Sequence, residues 1–288
     1  MLADKLYDAV NANGHVCVGL DTEITYLPEN YLKSFESEGE AIISFNKAII
    51  DQTYDLAACY KVQIAYYEAM GLAGMRAYVE TLRYLREKGC MIIGDIKRGD
   101  IQKTAGMYAK GHFQGDFEVD WVTLNAYMGV NDSLEPYLEY VDHHDKGIFV
   151  LIRTSNNGAR DFQYMQDDTG KTLYTNVGEK LQALAEKHLA KCGFSGIGGV
   201  VGCTNNESGV ALRNTVKNMF LLIPGYGAQG GGAKDVAPYL IHGNGGVVNA
   251  SRGIITAYRK MGGNPLDFHH AARQATIQMR DEIWREIK

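Results

Sequence analysis

Residues 91–101 read MIIGDIKRGDI. The first six positions are apolar except for one carboxylate, Asp95, and the remainder carries Lys97 and Asp100. A run that is hydrophobic throughout, without alternation, is what a parallel strand needs when both of its faces are covered. Every second side chain of a strand lies on one face, so Asp95 and Lys97 share a side, with Asp100 three residues beyond Lys97 in the loop. Removing such charges from water is costly unless they are paired, and a buried pair kept for stability alone gains little over an apolar substitute. The group therefore points to chemistry at the carboxyl end of a strand.

Seven further runs have the same character: VCVGL (16–20), AACYKVQI (57–64), WVTL (121–124), IFVLI (148–152), GGVVG (198–202), FLLIP (220–224) and GVVNA (246–250). Amphipathic helical stretches lie between most of them. Examples are EAIISFNKAIIDQTYDLA (40–57), GMRAYVETLRYLREKG (74–89) and TNVGEKLQALAEKHLAKCG (175–193), the last two expected to close on their C-terminal Gly. Eight strand-then-helix units in 288 residues predict an α/β fold, a (β/α)8 TIM barrel forming one domain over 1–288. A doubly wound sheet of similar length is the structural rival. The polar insert TSNNGARDFQYMQDDTGK (154–171) after the fifth strand is longer than a usual connection, so it is a working loop or a tolerated excursion.

With 45% hydrophobic residues and a net charge of −5, the chain has an ordinary globular balance and no run of Lys or Arg that would attract nucleic acid or an anionic membrane. Its five cysteines are scattered, form no CxxC pair and are odd in number, which argues against a disulfide framework and a zinc site and for a reducing, cytoplasmic compartment. The N-terminal MLADKLYDAVNANG sets Leu2, Leu6, Ala9 and Val10 on one helical face and carries two Asp, unlike a signal peptide. No segment approaches the roughly 18 apolar residues that span a bilayer.

In a barrel of this kind the working face collects residues at the carboxyl ends of strands. Asp21 follows CVGL; Lys61 and Gln63 sit in the second strand; Thr123 and Asn125 end the fourth; Thr154 and Ser155 follow the fifth; Arg252 follows the eighth. The run PGYGAQGGG (224–232) contains a literal G-x-G-x-x-G, but no acidic residue answers it at dinucleotide spacing. A phosphate cradle fits better: small residues bring backbone N–H groups to an anion, Gln229 can donate, and Arg252 supplies a bidentate cation. A purely structural turn is the alternative. The eight histidines show no HxH or HExxH spacing, and the adjacent pairs His143–His144 and His269–His270 should point apart on a helix and be solvated. No metal site is expected, and no G-x-S-x-G nucleophile motif is present.

Across CVGLD, YKVQIAYYEAMG, GDIKRGDIQKTA, VTLNAYMG, GIFVLIRTSN, GGVVGCT, LLIPGYGAQGG and NASRGI the chain resembles the orotidine 5′-phosphate decarboxylase family, in its longer, type 2 subgroup. The resemblance implies a homodimeric barrel that converts orotidine 5′-monophosphate to UMP in pyrimidine biosynthesis without a cofactor. It implies Lys97 as proton donor to carbon six, Asp95 as the carboxylate facing the leaving group, Lys61 as the link of the charged network, and Asp100, with Ile101 and Thr104, reaching into the partner's site. Asp21 and Lys61 would contact the ribose, and Gln63 stands where the subgroup often has a substrate-contacting Asn. Ser155, Thr154 and Pro224 would approach the base; Gln229 and Arg252, with backbone at Gly230 and Ser251, would hold the phosphate. One departure is Ala126, where the family pattern leads us to expect Pro. At 288 residues, no fused phosphoribosyltransferase domain is expected.

Decarboxylation leaves an electron pair on a ring carbon with no adjacent carbonyl, and most decarboxylases recruit an electron sink for it. No cofactor signature appears, so electrostatics must carry the reaction. Two alternatives remain: a magnesium-dependent sugar-phosphate decarboxylase or aldolase with a similar Asp-x-Lys-x-x-Asp, and a barrel that binds a nucleotide without turning it over.

Overall fold

A computed structural model describes residues 1–203, 206–227 and 230–287. Eight strands, β1 (Val16–Gly19), β2 (Cys59–Gln63), β3 (Ile92–Arg98), β4 (Trp121–Leu124), β5 (Gly147–Arg153), β6 (Ser195–Val201), β7 (Met219–Ile223) and β8 (Gly246–Ala250), form a closed barrel in sequence order. All pairs are parallel, and β8 closes on β1 with Val16 opposite Val248 and Cys17 opposite Asn249. The expected eight-stranded barrel is therefore the observed one, in preference to the doubly wound sheet.

The uniformly apolar runs have a simple cause. On β1 to β4, Val16, Val18, Tyr60, Val62, Ile92 and Val122 pack outward into the shell between sheet and helices. The alternate residues Cys17, Cys59, Ile93 and Trp121 point into the barrel and join Phe149, Phe220 and Val247 in a second cluster. Trp121 stacks on Phe149 with centroids 4.6 Å apart, and a Cβ on Gly147 would lie 2.3 Å from the Trp121 ring, so this packing requires the glycine. The N-terminal helix Leu2–Asn13 adds Leu2, Leu6 and Val10 to the same cluster, sealing the barrel floor.

The helix Glu38–Thr53 starts where Ser37 accepts a hydrogen bond from the Glu40 amide, with Glu38 and Glu40 in the first turn. Gly89, at φ +70°, follows the helix Gly71–Glu87 as expected. The helix expected to end at Gly193 instead stops at Ala185. Beyond it the chain turns: the Ala190 amide donates to the Phe194 carbonyl, Ser195 Oγ donates to the His188 carbonyl, and Gly193 closes that turn at φ +84°. His269 and His270, expected to point apart, have ring centroids 4.2 Å apart at the start of the helix Phe268–Ile287, where His269 also packs edge-on against Phe268. Among the described residues no helix is long and apolar enough to cross a membrane.

Candidate active site

Asp95 is the centre of the barrel mouth. Its side chain is 7% exposed and each oxygen accepts two hydrogen bonds. Oδ1 accepts from Lys97 Nζ at 2.7 Å and Thr123 Oγ1 at 2.8 Å; Oδ2 accepts from Lys61 Nζ at 3.0 Å and Gln63 Nε2 at 2.9 Å. Burial alone would raise the pKa of Asp95, but the ammonium groups of Lys61 and Lys97 and the bonds from Lys97 and Thr123 outweigh it and hold the carboxyl below the usual range. Lys61 is equally enclosed and donates to Asp21 Oδ1 at 2.8 Å as well as to Asp95. Burial pulls its pKa down, while the Asp21 and Asp95 carboxylates push it up by more, so it stays charged. Lys97 differs: its side chain is 45% exposed. The cluster is thus a chain of alternating signs, Asp21, Lys61, Asp95, Lys97, whose last member faces the solvent.

Asp21 is fixed from both sides. Ser251 Oγ donates to its Oδ2 at 2.7 Å, and a Cβ at Gly19 would sit 1.9 Å from that Ser251 oxygen, so no larger residue fits there. The residues flanking Asp21 are held by a buried polar network: Thr22 donates to Asn46 Oδ1, Asn46 Nδ2 donates to Tyr67 and Thr81, and the Tyr67 hydroxyl donates to the Leu20 carbonyl. The sequence reading missed this network, because nothing in the helix Glu38–Thr53 marks Asn46 apart from a polar residue on an otherwise apolar face.

Asp21, Lys61, Gln63, Asp95 and Lys97 line a cavity of about 350 Å³ together with Pro224, Gly225, Asn249, Ser251 and Arg252. Tyr26, Tyr66 and Tyr226 also line it and were not foreseen. Arg252 is exposed at the start of the turn Arg252–Ile255, on the β8 side of the mouth. Gly225, Gly227 and Gly230 have φ of +105°, +68° and +90°, a left-handed series open to glycine. In this loop the Gly227 and Gly230 amides donate to the Gly231 and Gly227 carbonyls. Gln229 lies outside the described residues.

Other expected site residues stand apart from the cavity lining. Thr154 is clamped by Gln163: the Thr154 amide donates to Gln163 Oε1 at 2.8 Å and Gln163 Nε2 donates to Thr154 Oγ1 at 2.7 Å. Gln163 belongs to the 154–171 insert, so part of that insert positions the strand end that precedes it. Ser155 lies against Gly202, where a Cβ would come within 2.7 Å of the Ser155 Cβ. Asp100 accepts a hydrogen bond from the Ile101 amide, and Ile101 and Thr104 are exposed.

The profile of the Orotidine 5′-phosphate decarboxylase / HUMPS family matches residues 14–261. The chain belongs to this family. A Clostridium acetobutylicum protein named orotidine 5′-phosphate decarboxylase is 59% identical over 287 residues, covering 100% of both chains, and a Clostridium perfringens protein of the same name is 56% identical over 287 residues, covering 100% of this chain and 99% of that one. Among solved structures, an OMP decarboxylase from Leishmania donovani superposes with a TM-score of 0.78 at 28% identity, covering 99% of this chain and 98% of that one. A Toxoplasma gondii structure described as an orotidine-monophosphate-decarboxylase gives 0.81 at 30% identity, with 98% coverage of each. The family profile begins before β1 and runs beyond Arg252, so it takes in all eight strands and every residue of the charged chain.

Proposed function

We propose that Lys97 supplies the proton in the reaction named for this family, the cofactor-independent decarboxylation of orotidine 5′-monophosphate to UMP. Relatives at 53–59% identity over essentially the full chain carry that name, and this chain is a carboxy-lyase of pyrimidine biosynthesis. The observation that carries the role of Lys97 is its half-exposed side chain, whose ammonium lies 2.7 Å from a buried carboxylate at the cavity wall.

The bond from carbon six to the carboxyl carbon breaks, carbon dioxide departs, and the electron pair stays on the ring. An ammonium already aimed at that carbon stabilises the developing charge and then transfers its proton there; the neutral amine recovers a proton from solvent. Two unit charges about 4 Å apart interact by roughly 4 kcal/mol at an effective dielectric near 20, so one aimed lysine matters. Asp95 holds that lysine in place. Asp21 and Lys61 would meet the ribose. Arg252 and the glycine loop would hold the phosphate, far from the reacting carbon, so that its binding positions the ring. All four lone-pair sites of Asp95 are occupied by donors, which leaves no free one for a metal and disfavours the magnesium alternative.

The dimer belongs to the same proposal. Asp100, Ile101 and Thr104 do not line the cavity of their own subunit, and their role would be played in a partner's site. Exposed apolar side chains support a buried interface there: Leu72, Met107 and Tyr127, 90%, 65% and 85% exposed, follow β2, β3 and β4 in turn. We read the chain as one barrel domain working in the cytoplasm, consistent with five unpaired cysteines.

The test is direct. Metal-stripped protein is mixed with orotidine 5′-monophosphate and its ultraviolet absorbance followed; loss of absorbance that survives a chelator is expected. Lys97→Ala should abolish turnover while UMP still binds, and activity near that of the unsubstituted protein would refute the assignment.

A further inference from the structure

The alternation of β3 and β4 breaks at one place. Ile93 pairs with Trp121 and Gly94 with Val122, but the next pairing is Arg98 with Leu124. Between those pairings three residues of β3, at 95, 96 and 97, face a single residue of β4, Thr123. Inside this bulge the Ile96 and Lys97 amides both donate to Thr123 Oγ1, each at 3.0 Å. A hydroxyl has two lone pairs and one proton. With both lone pairs engaged, the proton must go elsewhere, and it goes to Asp95 Oδ1 at 2.8 Å, the same oxygen that receives Lys97 Nζ.

Lys97 itself has φ +44°, in the left-handed region where a side chain is disfavoured. Such a conformation persists when its surroundings over-determine it, and such residues gather at working sites. The two amide bonds to Thr123 fix the chain immediately before that unfavourable torsion. Thr123 is 1% exposed, so no water can replace its hydroxyl.

We propose that Thr123 is a positioning residue for the reaction: its one hydroxyl sets both the backbone from which Lys97 departs and the carboxylate that aims it. The alternative is that Thr123 is simply a β-branched residue filling a buried strand site, in which case its shape matters and its oxygen does not. The inference rests on the role of Lys97 proposed above.

The decisive variants are Thr123→Val, which keeps the shape, and Thr123→Ser, which keeps the hydroxyl. Thr123→Val should lower kcat about 10- to 100-fold, the scale expected of a misplacement of about 1 Å, with KM changed by less than about threefold. Thr123→Ser should recover most of that loss. Amide exchange at Ile96 and Lys97 should speed up in the Val variant and not in the Ser variant. If Thr123→Val does not fold, Thr123→Cys, similar in shape but a weak hydrogen-bonding group, should show the same split of kcat from KM. A Val or Cys variant with kcat within twofold of the unsubstituted protein would overturn the proposal, as would a loss of stability with kcat intact. Lys97→Ala assayed alongside separates the two ideas: if it is active, the lysine assignment is wrong, whereas an inactive Lys97→Ala beside a fully active Thr123→Val refutes only the role of Thr123.

Discussion

The floor and the mouth of the barrel are built from the same strands in the same alternation. Inward positions run from Cys17 to Asp21 on β1 and the loop after it, from Cys59 through Lys61 to Gln63 on β2, from Ile93 through Asp95 to Lys97 on β3, and from Trp121 to Thr123 on β4. One pleat up from an aromatic and thiol floor, the side chains become ions and their donors. On the floor, Trp121, Phe149, Phe220 and Phe194 are held by shape, with glycines where rings need space. At the mouth, position is fixed by hydrogen bonds that use every lone pair of Asp95. The lesson is that stability and chemistry occupy separate layers of one sheet, and perturbing one layer should leave the other largely intact.

The largest effect that could break this division is loss of the mouth ammonium. Lys97→Ala should cost at least about 1,000-fold in turnover, above 4 kcal/mol in barrier by transition-state arithmetic. Because the side chain is nearly half exposed, its urea midpoint should scarcely move. Phe149→Ala on the floor should do the reverse, destabilising by about 3–5 kcal/mol while kcat per folded molecule stays within threefold. Parallel denaturation and activity curves would show whether the two layers are separable.

Dependence on pH sharpens the comparison. The pKa of Asp95 is depressed in the fold, so its contribution is present above about pH 4 and lost as pH falls through the depressed value. That of Lys61 is raised, so its contribution is present below about pH 10 and lost as pH rises through the raised value. Between those limits the mouth pair contributes no slope. His112, in the helix shell, behaves differently: burial, with the Arg98 charge adding, lowers its pKa to about 4. The unfolded chain then binds the extra proton first, and stability falls by up to about 1.4 kcal/mol per unit as pH drops from about 6.5 towards 4. His112→Gln should flatten that part of the profile, measured as urea midpoints, with His15 and His269, also lowered by burial, contributing to the remaining slope. An unchanged slope would mean that the acid sensitivity has another source. The smallest effect is expected at the rim. The Lys5–Asp145 pair is 61% and 54% exposed, and Lys5→Ala should change stability by less than about 1 kcal/mol and activity not at all.

The barrel and the Asp95–Lys97 group were legible because both depend on local pattern: uniformly apolar runs of strand length, and charges two residues apart at a strand end. Features that depend on how two segments meet were not. Thr123 reads as one more polar residue at a strand end, and its three hydrogen bonds form where β3 bulges against β4. Gln163 reads as part of a polar insert, and only the return of the chain shows it clamping Thr154. Gly193 reads as a helix stop because a glycine after an amphipathic stretch commonly is one, yet the helix ends at Ala185 and the glycine serves the next turn.

The closure of β8 on β1 sets Val16 against Val248. During synthesis, the first strand leaves the ribosome long before its partner, and the growing sheet keeps two raw edges until the final strand emerges. A nascent chain of this protein must therefore be shielded, or stay loosely collapsed, through nearly all of its translation. Premature termination before residue 246 would leave a ring that cannot close.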